Sequence, residues 1–82
     1  ERFESLVARH SGIIHKVAFA YAWSAEDRAD LAQEIRIRLW QAFPNYDSQR
    51  SFSTWMYRVA LNIALTFVHR KPQQMLSVNE DL

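Results

Sequence analysis

Three apolar stripes at helical spacing, separated by two short polar breaks, leave this chain few folds to adopt. The first stripe is Phe3, Leu6, Val7, His10, Ile14, Val17 and Tyr21; the second is Leu31, Ile35, Leu39 and Ala42; the third is Phe52, Met56, Val59, Ile63 and Phe67. Steps of three and four place each set on one face of an α-helix. No run alternates over strand length, and 82 residues suffice for one core only. The expected fold is all-α, a compact three-helix domain with helices over about 2–22, 25–43 and 52–70.

Local signals set the boundaries. Ser24 with Asp27 three residues on forms a capping box, in which the Ser oxygen accepts a free backbone N–H and the acid sits at the positive helix end. Pro44 disfavours helical geometry at Phe43 and lacks an N–H, so the second helix should stop there. Turn-prone Asn45, Asp47 and Ser48 follow, and Ser51 is placed to cap the third helix. Arg70 and Lys71 complement that helix's negative end before Pro72. Gly12 lies inside the first helix at a cost of about 1 kcal/mol relative to Ala, which points to a kink or a close helix contact there. Residues 1–71 form the expected domain, and the polar, unpatterned tail 72–82 is expected to be a disordered, flexible linker start.

The chain has no Cys and 49% hydrophobic residues with only one Gly, which describes a folded helical domain without disulfides or thiolate metal sites. No apolar run approaches the roughly 20 residues that span a bilayer, and the N-terminus lacks signal-peptide order. A cytoplasmic location with no membrane contact is expected. The net charge is only +1, but it is unevenly spread. Over 24–47 five acids oppose three arginines, whereas 48–71 contain no acid and carry Arg50, Arg58, Arg70 and Lys71.

Enzyme signatures are missing. There is no Gly-rich phosphate loop, and His10, His15 and His69 do not make the i, i+4 pair of a zinc helix, so neither catalysis, cofactor nor metal is expected. His10 falls on the apolar stripe and is expected to be a hydrogen-bonded core residue. On the second helix Asp30, Gln33, Glu34, Ile37 and Gln41 share a face beside the core stripe, with Ile37 and Trp40 left off it. Periodicity alone favours a solvated face there, although complementary charge would suit an Arg- and Lys-rich partner. On the third helix Thr54, Tyr57, Arg58 and Asn62 point away from the core, with Trp55 and Thr66 at the edges. Arg suits phosphate, Asn suits a base edge, and rings offer stacking surface to unpaired bases. Completion of the core by Trp55 and Tyr57 is an equally weighted account.

The run DLAQEIRIRLW, the link FPNYD and the segment SFSTWMYRVALN resemble conserved region two of bacterial sigma factors of the extracytoplasmic-function group. The likeness extends from about Phe3 to Lys71, and the ordered combination is more specific than any one piece. It implies a non-enzymatic domain that docks on core RNA polymerase through the β′ clamp helices and opens promoter DNA at the minus-ten element. By that resemblance Asp30, Gln33 and Glu34 bind the clamp helices, with Ile37 on the same face and Arg38 and Gln41 extending it. The link from Asn45 to Ser51 surrounds a base flipped from the single-stranded non-template strand, with Asn45, Asp47, Ser48, Arg50 and Ser51 as its contacts. Phe52, Trp55, Tyr57 and Arg58 match the melting segment and Asn62 is expected at the upstream edge of the element, while Thr54 and Thr66, on the same side of the helix, complete the expected DNA contacts. Glu34→Lys is expected to abolish docking and leave the fold intact, since it reverses an exposed charge.

Two positions depart from the family pattern: Arg36 stands where an aromatic is usual, and Thr66 where an Asp is usual. Family members carry a second helical domain that reads the minus-35 element, so this chain is expected to be part of a longer protein and to bind DNA weakly alone. A monomer is expected. An interaction module held by an anti-sigma factor is the alternative, and a duplex-binding helix-turn-helix is a third reading, disfavoured by the aromatics at the start of the last helix.

Overall fold

The computed structural model describes residues 3–70, and they are all-α: α1 spans Phe3–Arg9, α2 Ser11–Tyr21, α3 Ala25–Ala42 and α4 Phe52–Arg70, with a 3-10 turn at Phe43–Asn45. The expected first helix is therefore two. The break falls at His10, not at Gly12. His10 N–H is shared between the carbonyls of Leu6 (3.2 Å) and Val7 (3.1 Å), and its ring Nδ1 donates to the Leu6 carbonyl at 3.1 Å. With the ring also 5.6 Å from that of Phe52, the side chain competes with the backbone ladder, and one residue leaves helical geometry. His10 is hydrogen-bonded as expected, but it is part-buried at the edge of the core and not a core residue. Around Gly12 nothing lies within 4 Å of an added Cβ, so no close helix contact explains the glycine.

The expected caps are present. Asp27 N–H donates to Ser24 Oγ at 3.0 Å, and Thr54 N–H donates to Ser51 Oγ at 3.3 Å. α3 ends at Ala42, one residue before the expected stop, but Phe43 keeps right-handed helical angles (φ −56, ψ −38) and Pro44 is carried in the 3-10 turn. The proline thus removes the helix hydrogen bond without extending the chain at Phe43, whose ring is held among four others.

α4 packs against both α2 and α3, and α2 against α3. Ile14, Leu31, Ile35, Leu39 and Met56 are fully buried. Beside them Ala18, Ala32, Ala60 and Ala64 are buried, and these small side chains let the helices approach closely. On α4 the innermost line is Met56, Ala60, Ala64 and Phe67; Val59 and Ile63 pack at its margin. Arg36 is exposed, so its departure from the family pattern does not touch the core. The domain end at residue 71 and the tail 72–82 lie outside the described residues. Among the described residues no helix is long and apolar enough to cross a membrane.

Candidate functional site

At the end of the bundle where α3 hands over to α4, five rings form one cluster. Phe43 lies 5.0 Å from Phe3, 5.8 Å in stacked geometry from Tyr46, and 6.3 Å from both Phe52 and Trp55. Tyr46 and Trp55 are 5.0 Å apart, and Phe52 lies 5.4 Å from each. Such pairs contribute about 0.5–1.5 kcal/mol each beyond area burial. Phe52 is at the bottom of the cluster, 7% exposed. It therefore has to be removed from the surface set expected to touch DNA: packed beneath the other rings and His10, it is a support for Trp55.

The loop after the 3-10 turn is shaped by its own hydrogen bonds. Tyr46 Oη donates to the Arg50 carbonyl, Gln49 N–H to Asp47 Oδ1 (3.0 Å), and Arg50 N–H to the Asp47 carbonyl (2.9 Å). Asp47 Oδ2 also lies 3.9 Å from Arg50 Nε, an exposed pair worth about 0–1 kcal/mol. These bonds present Arg50 and Ser51 beside the first turn of α4. There Arg50, Ser51, Thr54, Trp55 and Arg58 line a pocket of about 280 Å³. Trp55, half-buried, has one part in the ring cluster and another in the pocket wall, and the two guanidinium groups belong to the same wall.

The remaining candidates on this side divide. Ser48 lines a different cleft, with Leu6, Phe43, Pro44 and Tyr46, and Asn45 is exposed in the 3-10 turn. Tyr57 is 48% exposed but, next in sequence to Arg58, lies about 100° around α4 from it, toward another side of the helix. Asn62, one turn beyond Arg58, lines a groove with Arg38, Gln41, Ala42, Val59 and Ile63. Thr66 is exposed, and its hydroxyl donates to the Asn62 carbonyl at 3.1 Å. Phe43 is a contributor outside the expected set, and Tyr46 lies within the expected loop but not among its expected contacts; two rings flanking a proline in an otherwise polar link are the signal that points to both.

On α3, Asp30, Gln33, Ile37, Arg38 and Gln41 are exposed as expected. Glu34 is not. Its side chain is 24% exposed, and its Oε1 accepts a 2.7 Å hydrogen bond from Arg70 Nη2 of α4, whose guanidinium also lies 5.7 Å over the Phe67 ring. The expectation of a freely exposed Glu34 is corrected by this pairing across 36 positions, which no local pattern encodes. Asp30, Gln33, Glu34, Ile37, Phe67 and Arg70 together line a shallow depression. Beside it Ile37 and Trp40 are 47% and 66% exposed, an apolar ridge on an otherwise charged helix. Trp40 was not among the expected contacts, although its place off the core stripe was legible.

The Sigma-70 region 2 family matches residues 6–72. The chain is 28% identical over 71 residues to the ECF RNA polymerase sigma factor SigW of Bacillus subtilis, covering 87% of this chain and 38% of that protein. It is 29% identical over 80 residues to the ECF RNA polymerase sigma factor SigE of Mycolicibacterium smegmatis, covering 96% and 31%. To the ECF RNA polymerase sigma-E factor of Haemophilus influenzae it is 31% identical over 83 residues, covering 98% and 41%. The chain thus spans about two fifths or less of the length of these relatives. No solved structure matches it significantly.

Proposed function

The chain belongs to the Sigma-70 region 2 family, and from that premise we propose that it is the part of an extracytoplasmic-function sigma factor that docks on core RNA polymerase and opens promoter DNA at the minus-ten element. The pocket beside Trp55 is the site for a base taken out of the non-template strand. Arg50 and Arg58 attract the strand's phosphates, the indole offers a stacking face, and the Ser51 and Thr54 hydroxyls offer edge contacts. Extruding a base costs a few kcal/mol, and stacking on Trp55 at about 1–3 kcal/mol offsets a share of it. The observation that carries this reading is a half-buried tryptophan whose open part shares a pocket wall with two arginines.

Polymerase docks on α3 through Asp30, Gln33, Glu34 and Ile37, with Trp40 extending the contact. An exposed aromatic next to an exposed aliphatic and two carboxylates has the make-up of an interface anchor with a charged rim. The same ridge suits an inhibitory partner, so an anti-sigma protein would compete with polymerase for it. The test is a titration of the chain with a labelled non-template minus-ten strand, its complement and the duplex at two salt concentrations, alongside isolated β′ clamp helices. Preference for the non-template strand together with clamp-helix binding is the expected result; preference for duplex contradicts it.

A further inference from the structure

We propose that the groove between α3 and α4 bordered by Arg38, Gln41 and Asn62 seats one nucleotide of the unpaired strand, with Arg38 on its phosphate and the two carboxamides on its base edge. The proposal rests on the DNA-binding reading above and moves Arg38 and Gln41 from the polymerase contact to the DNA contact.

The groove, about 360 Å³, has Ala42, Val59 and Ile63 as its apolar part. All three polar side chains are exposed, and none makes a side-chain hydrogen bond or ion pair to another described residue. Their unspent groups are complementary to a nucleotide. Arg38 brings only donors, in a planar fork that matches phosphate, while Gln41 and Asn62 each bring donors and an acceptor, the combination that reads a base edge. The apolar walls suit a sugar or a base face.

Charge and placement favour nucleic acid over a protein segment. Residues 48–70 contain no acid, so α4 contributes no carboxylate to the groove. On α3 the carboxylate one turn before Arg38 is Glu34, which is already engaged by Arg70. Arg38 therefore keeps an uncompensated charge. Asn62 follows Arg58 by one turn of α4, about 6 Å along the axis, so the groove lies next to the Trp55 pocket, within reach of a neighbouring nucleotide of the same strand.

The test uses the chain with Arg38→Ala, Gln41→Ala or Arg58→Ala, all exposed positions, with helicity checked by circular dichroism. Binding of a labelled non-template minus-ten single strand is followed through a salt series, and binding of isolated β′ clamp helices is measured in parallel. Gln41→Ala should weaken strand binding about fivefold or more at unchanged salt slope. Arg38→Ala should make the slope of log K against log salt shallower by about 0.7, the share of one phosphate on a single strand. Both should bind clamp helices as the unaltered chain does. If Arg58→Ala weakens strand binding while Arg38→Ala and Gln41→Ala bind the strand normally, the groove assignment is overturned and the Trp55 pocket stands. If the unaltered chain binds no single strand, both fall together.

Discussion

Arg70, the last residue of α4, donates a 2.7 Å hydrogen bond to Oε1 of Glu34 on α3, so the carboxylate expected to meet polymerase is already held by the chain's own guanidinium. Glu34→Lys removes the pair and sets two cations together, which should cost about 0.5–1 kcal/mol and lower the melting temperature by a few degrees. The double variant Glu34→Lys with Arg70→Glu should recover the stability and still fail to bind clamp helices. Thermal melts and clamp-helix titrations of the three proteins check this; recovery of binding in the double variant would show that Glu34 acts only through the fold.

Gly12→Ala should stabilise the domain by about 0.5–1 kcal/mol, since the residue is helical, has no positive φ and leaves open space where the Cβ would go. Chemical denaturation should show a higher midpoint at unchanged slope. DNA and clamp-helix binding should not move.

The two caps separate stability from function. Ser24→Ala and Ser51→Ala each remove a side-chain oxygen that accepts a backbone N–H, at about 1 kcal/mol apiece. Only Ser51 lines the Trp55 pocket. Equal loss of melting temperature in both, with weaker single-strand binding in Ser51→Ala alone, is the expected pair of results.

Much of this architecture was legible because it is local. The stripes, both serine caps and the stop near Pro44 each depend on residues within one or two turns: both caps are present, α3 ends within one residue of the expected stop, and the second stripe forms the buried side of α3. The break at His10 was hidden because a single non-helical residue leaves the stripe from Leu6 and Val7 to Ile14 on the same side. Ala60 and Ala64 were passed over in favour of Val59 and Ile63, because hydrophobicity ranks the larger side chains first while close packing of α4 needs the smaller ones inside. For the site, exposure of Arg58 and Asn62 followed from periodicity. Burial of Phe52 agrees with its place on the third stripe and not with its place among the DNA contacts, whereas the Glu34 pairing depended on the register of α3 against α4, which no single helix contains.

Ala60→Leu tests that packing. Ala60 is fully buried on the innermost line of α4, and the added volume has nowhere to go without moving a helix, so a cost of about 1–3 kcal/mol is expected. Thr54→Leu, at an exposed position of the same helix, should cost far less, and comparison of the two denaturation midpoints is the check.

The central claim is that the pocket beside Trp55 holds an unpaired base, and the affinity of Trp55→Ala for the labelled non-template minus-ten strand tests it most directly. Removing the indole should weaken strand binding by roughly five- to a hundredfold, the equivalent of one lost base stack, while helicity and clamp-helix binding persist. A folded Trp55→Ala protein that binds the strand as tightly as the unaltered chain would contradict the account.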